Sequence, residues 1–266
     1  MNDKHLTDVD YWDRNWAGRP ITDPLDPDAA GLNGTQSRSL HRLFTRLFRK
    51  IGITAGARIV EAGCGGSTLL PYFRKEFGLT AEGFDNSPVG LDLSNAIARR
   101  IGIETPVYLA DIFALPEHLR ERYDVVFSYG LAEHFNPTTL IVEALAPLAR
   151  PGGHVLTVIP NMRGALGLFQ KLANPEVYAI HVPLTALDLR RAHEACGLRI
   201  VDVGYLMTAN FSAINFQGSG PALGWAGPRL ASWSSKAFWL LERFGLPEIP
   251  NALTSPYIYV LAQAKK

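Results

Sequence analysis

Across residues 58–159, short apolar runs alternate with stretches of helical pattern, and this rhythm limits the fold more than any other feature of the chain. The apolar runs read as strands at 58–61, 80–84, 107–110, 123–128 and 154–159. Helices are expected between them, at 68–77, 87–100, 117–122 and 137–149. Strands joined through helices run parallel, and a parallel sheet must be covered on both faces. The chain is therefore read as α/β. Its 266 residues, 47% of them hydrophobic, are enough for one such domain with an added cap.

The first strand runs directly into a turn, Ala62-Gly63-Cys64-Gly65-Gly66-Ser67, and a helix begins at about Thr68. Glycine bends the backbone sharply and lets a ligand approach where a Cβ would intrude. The free N–H groups that open the next helix point at the same loop. A nucleotide-like ligand suits it, although a plain strand-to-helix corner would need glycine as well.

Three acids strengthen the ligand reading. Glu61, Asp85 and Asp111 each end a strand, and they lie 24 and 26 residues apart, one strand–helix unit each. Ligands of open parallel sheets bind outside the carboxyl ends of the strands. All three acids should line that edge. The second suits a ribose diol, the third an exocyclic amine, and the first a cationic amino group.

The rest of the chain frames this unit. Residues 1–36 read as an irregular leader in which Tyr11, Trp12 and Trp16 must bury, either as a lid over the ligand or as a tether on the core. Residues 37–51 carry Leu40, Leu43, Phe44, Leu47, Phe48 and Ile51, one apolar stripe of a helix stopped at Gly52. After Pro160 come an insertion at 161–183, a helix at 185–195, a strand at 198–206, an aromatic insertion at 210–250 and a last strand at 257–261. Within the second insertion, residues 230–244 read as a helix striped by Leu230, Trp233, Ala237, Leu241 and Phe244. It would serve as a pocket lid, a homodimer face or a membrane-surface contact, and its few basic residues weigh against the last. Net charge is +1, without basic runs, so nucleic acid is not the expected partner. Two cysteines and the lack of a long apolar run point to a reducing, cytoplasmic setting without an integral membrane segment.

The segments VEAGCGGS (60–67), GFDNSP (83–88), ADIFALP (110–116), YDVVFSYGLAEHF (123–135) and LARPGGHVLTVIPN (148–161) together resemble the class I S-adenosylmethionine-dependent methyltransferases. The resemblance implies a Rossmann-like seven-stranded sheet, order 3-2-1-4-5-7-6 with strand 7 antiparallel, over residues 37–266. It implies S-adenosylmethionine as cofactor, with Gly63, Cys64 and Gly65 under the methionyl part and Glu61 orienting it. Asp85 would hold the ribose beside Asn86, Asp111 the adenine amine with Ile112 on the ring, and Tyr129 and Gly130 the methionyl flank. Ser67 stands where the family often has a third glycine, a departure from the family pattern.

Two other classes compete. A nicotinamide-dependent oxidoreductase would need Gly or Ala where Thr68 stands. A non-catalytic binding protein of the same fold would have lost the loop or the acids, and neither is lost. Methyl transfer to a hydroxyl benefits from a base. Of seven histidines, only His134, just past the fourth strand, and His181, in the first insertion, fall at the ligand edge. His181 is the first choice because its segment belongs to the variable acceptor side. No metal is expected. The leader and the two insertions, rich in aromatics, should shape a pocket for a small or medium organic acceptor, with O-methylation the leading reaction.

Overall fold

In the computed structural model, which describes residues 5–217 and 219–265, the chain folds as α1 (Val9–Trp16), α2 (Thr35–Ile51), β1 (Arg58–Ala62), α3 (Leu69–Phe77), β2 (Thr80–Asp85), α4 (Pro88–Arg99), β3 (Val107–Leu109), β4 (Tyr123–Tyr129), α5 (Thr139–Leu145), β5 (Ala149–Pro160), α6 (Ala165–Ala173), α7 (Pro175–Ala179), α8 (Ala186–Ala195), β6 (Arg199–Leu206), α9 (Pro221–Arg243) and β7 (Tyr257–Gln263). The strands form one sheet, ordered β3-β2-β1-β4-β5-β7-β6. The first five run parallel, and β7 lies antiparallel between β5 and β6. The order reverses at β1 and β4, so their carboxyl ends open a crevice.

Side chains of a strand alternate between faces. Ile59 and Phe127 pack on one side with Phe44, Phe73 and Leu70, while Val60 and Val126 pack on the other with Ile141, Leu145 and Leu189. The stripe of α2 is buried as its spacing predicts, and the helix ends at Gly52 in the left-handed conformation, φ +72°. Its outer face reaches the far edge of the sheet, where Arg46 and Lys50 pair with Asp202 of β6 at 2.9 and 2.6 Å.

Four expectations are corrected. The leader is not wholly irregular: Asp8 accepts from the Tyr11 N–H at 2.8 Å and caps α1. Pro151-Gly152-Gly153 does not merely stop a helix, because β5 runs through it with a register shift opposite Tyr123/Val125. The aromatic helix begins nine residues earlier than the stripe suggested, with Pro228 inside it. That stripe is also its outer face, with Trp233 76% and Phe244 79% exposed, while Gly227, Ala231, Ser235 and Trp239 face inward. Among the described residues no helix is long and apolar enough to cross a membrane.

Candidate active site

β1 delivers Glu61 and the glycine loop to the crevice. Gly63 has φ +72° and Gly66 φ +60°, a conformation that side chains rarely adopt. A Cβ on Gly65 would lie 2.7 Å from Trp16 Nε1, and one on Gly90 would lie 2.8 Å from Trp16 Cδ1. The glycines thus seat an indole from the leader as well as shaping the turn. Asp13 of the same helix accepts a hydrogen bond from the Ser87 hydroxyl at 2.5 Å. The leader therefore lies across the loop. Trp12 and Trp16 line a cavity of about 1340 Å³ over the strand ends.

Ser67 ties the loop to the strand end and to the helix that follows. Its hydroxyl donates to Glu61 Oε2 at 2.5 Å and accepts the N–H groups of Leu69 and Leu70 at 3.1 Å each. A third glycine could do neither. Burial pushes the Glu61 carboxyl up to about 8; the Ser67 bond opposes this and the nearby Asp85 adds to it. Asp85 accepts from the Gly65 N–H at 2.8 Å and from the Ser87 N–H at 2.8 Å. Its burial raises its pKa against those bonds.

The remaining expected residues divide. Asn86, Asp111 and Ile112 line the cavity beyond β2 and β3. Asp111 is exposed and spends one oxygen on the Phe113 N–H at 2.9 Å. Tyr129, the last residue of β4, and Gly130 just past it line the cavity, and the Tyr129 hydroxyl is buried without a hydrogen-bond partner. Cys64 does not belong to the lining. Its side chain is fully buried beneath the loop, where its Sγ would meet a Cβ on Gly83 at 2.7 Å. The loop turns that side chain into the core, and its backbone N–H is spent on the Phe84 carbonyl.

His134 and His181 come together, with ring centroids 4.7 Å apart. Two hydrogen bonds clamp their segments: Val182 N–H donates to the Glu133 carbonyl at 2.7 Å, and the His134 side chain bonds the Ile180 carbonyl through Nδ1 at 2.7 Å. Both rings line the cavity, as does Glu133, which the sequence reading passed over. Glu133 is buried and its Oε2 lacks a partner. Burial pushes its carboxyl up to about 8. Burial, and then the neighbouring His181, pull His134 down to about 3. His181 is lowered by burial. The signal for Glu133 was its place beside His134 in one motif. Among the described residues, the second insertion contributes nothing to the lining of this cavity and the first only His181, so the acceptor-pocket expectation is narrowed here to the leader and His181.

A family model described as "Methyltransferase domain" matches residues 32–203. The chain belongs to that family. This methyltransferase-domain protein is 28% identical over 120 residues to the "Ubiquinone biosynthesis O-methyltransferase" of Photorhabdus laumondii subsp. laumondii, covering 44% of this chain and 50% of that one. It spans about half the length of the first curated relatives it matches. Its fold matches the 4+2 cyclase SpnF with TM-score 0.60 at 16% identity, covering 94% of this chain and 91% of that one. It also matches Haemonchus contortus phosphoethanolamine N-methyltransferase 2, solved with S-adenosyl-L-methionine, with TM-score 0.58 at 17% identity, covering 96% and 56%. The sheet order is that of the class I methyltransferase fold.

Proposed function

We propose that the chain transfers the methyl group of S-adenosylmethionine to a hydroxyl oxygen of a small or medium organic acceptor. One observation carries this reading: the glycine loop, the strand-end acids and the Glu133/His134/His181 cluster converge on a single cavity. The cavity suits the cofactor. Asp85 uses one lone pair per oxygen on loop N–H groups and keeps others for ribose hydroxyls. Trp16 Nε1 and the Tyr129 hydroxyl are buried polar groups without protein partners at its wall. Glu61 and Gly63 would hold the methionyl part, and Asp111 and Ile112 the adenine.

The bound cofactor supplies a methyl group activated on a sulfonium. His181 would accept the acceptor's O–H proton as the C–O bond forms and the C–S bond breaks, its electron pair passing to sulfur. An imidazole kept neutral by burial beside the cavity favours oxygen over a neutral amine, which needs no base for attack. The test is incubation with isotope-labelled methyl donor and a panel of phenols, alcohols and amines. Label on oxygen supports the reading; label on amines alone contradicts it.

Asp85→Ala is expected to weaken cofactor binding by about 1–3 kcal/mol without unfolding the chain, as loss of charge-assisted hydrogen bonds would. Calorimetry on the folded variant checks this, and unchanged affinity would remove Asp85 from the site.

Glu61 makes binding pH-dependent. Burial pushes its carboxyl up to about 8 in the free protein, which favours the protonated form at neutral pH. A cationic cofactor beside it favours the carboxylate. Binding should then release up to about one proton, and affinity should rise by up to about tenfold per pH unit below 8 and level off above it. Calorimetry in buffers of different ionisation enthalpy reads the proton directly. Proton release that persists unchanged in Glu61→Gln would assign it to another group.

A further inference from the structure

We propose that Glu133, His134 and His181 form a binding site for a divalent cation of the zinc type, placed on the acceptor side of the cavity. One ligand atom from each lies within 4.8 Å of the others. Glu133 Oε1 and His134 Nε2 are 3.7 Å apart. Tetrahedral ligands at about 2.1 Å from an ion stand roughly 3.4 Å from one another, so that pair is already near its bonding separation.

The proton positions point the same way. A backbone carbonyl can only accept a hydrogen bond. His134 Nδ1 faces the Ile180 carbonyl at 2.7 Å, and His181 Nδ1 faces the Val177 carbonyl at 2.6 Å. Each neutral ring therefore carries its proton on Nδ1 and keeps a lone pair on Nε2. Zinc-binding histidines are oriented in this manner, the far N–H tied to a carbonyl. The third group is a carboxyl with a buried, unpartnered Oε2. Three acceptors thus meet with no Lys or Arg hydrogen-bonded or ion-paired to any of them among the described residues.

The donor set selects the ion. Two imidazoles and one carboxylate suit zinc and its transition-metal neighbours, whereas calcium and magnesium prefer oxygen ligands. Three protein ligands leave an open position, the arrangement of catalytic rather than structural sites. The cluster borders the crevice: Glu133 Oε1 is 3.6 Å from where a Cβ on Gly130 would stand. The open position would take the acceptor's oxygen and lower its proton affinity, the proton leaving to solvent. His181 would then serve as a ligand instead of a base. This deepens the methyl-transfer reading and rests on it for its purpose.

The full chain, stripped with chelator, would be titrated with Zn²⁺ against a chromophoric competitor. One ion per chain is expected. His181→Ala and the isosteric Glu133→Gln should each bind at least about 100-fold more weakly, while His118→Ala, at an exposed histidine, should match wild type. Absence of stoichiometric zinc in wild type, or wild-type affinity in both ligand variants, would overturn the site. Labelled methyl transfer is read in the same preparations. Full transfer by the stripped protein would overturn the metal's role and leave the methyl-transfer reading intact. Zinc bound through these residues, without transfer to any acceptor, would sink the function and leave the site.

Discussion

Turnover in a His181→Ala variant is expected to fall by about 10²–10⁴-fold, the size of loss expected when the group that activates the acceptor is removed, whether it acts as base or as metal ligand. Affinity for S-adenosylmethionine should stay nearly at wild type. The separation follows from the layout: Glu61, Asp85 and Asp111, the proposed cofactor acids, stand at the ends of β1, β2 and β3, while His181 comes from the segment after α7, clamped to the loop beyond β4. Pairing calorimetry with turnover in the one variant decides it. A cofactor defect equal to the turnover defect would place His181 against the cofactor, and wild-type turnover would exclude it from acceptor activation.

Phe44→Ala should cost about 3–5 kcal/mol of folding stability. Phe44 is fully buried, and its ring meets those of Phe73, Phe127, Tyr72 and Phe48 at 4.9, 5.7, 5.9 and 5.9 Å. These rings bind α2 and α3 to β4, so the cavity left behind could not close easily. Such a loss is a large share of the roughly 5–15 kcal/mol that holds a domain folded. Denaturant unfolding measures it; a loss below about 1 kcal/mol would mean that α2 does not depend on this cluster.

The parts of the molecule legible in the sequence are those where one periodicity had one meaning. The stripe of α2 could pack only on the sheet, and the recurrence of Glu61, Asp85 and Asp111 could put them only at one edge. The aromatic helix α9 shows the limit. Its apolar residues occupy two sides, and spacing cannot say that Trp239 is buried and Trp233 exposed. Cys64 was misplaced because loop residues follow no alternation, and the turn alone decides that its side chain enters the core. Trp16 was expected to bury, but its seat on Gly65 and Gly90 depends on how the leader crosses the sheet. Glu133 lay in plain view beside His134. Its burial and its orphaned oxygen are properties of the folded chain, in which Val182 returns to hydrogen-bond the Glu133 backbone, and no spacing in the sequence shows that return.

The central claim is that this cavity binds S-adenosylmethionine for methyl transfer. Calorimetric titration of the full chain with S-adenosylmethionine, S-adenosylhomocysteine and the nicotinamide dinucleotides tests it most directly. The account predicts one site per chain for the first two, weakened by Asp85→Ala, and no heat of binding from the dinucleotides. Binding of a dinucleotide with none of S-adenosylmethionine would contradict it.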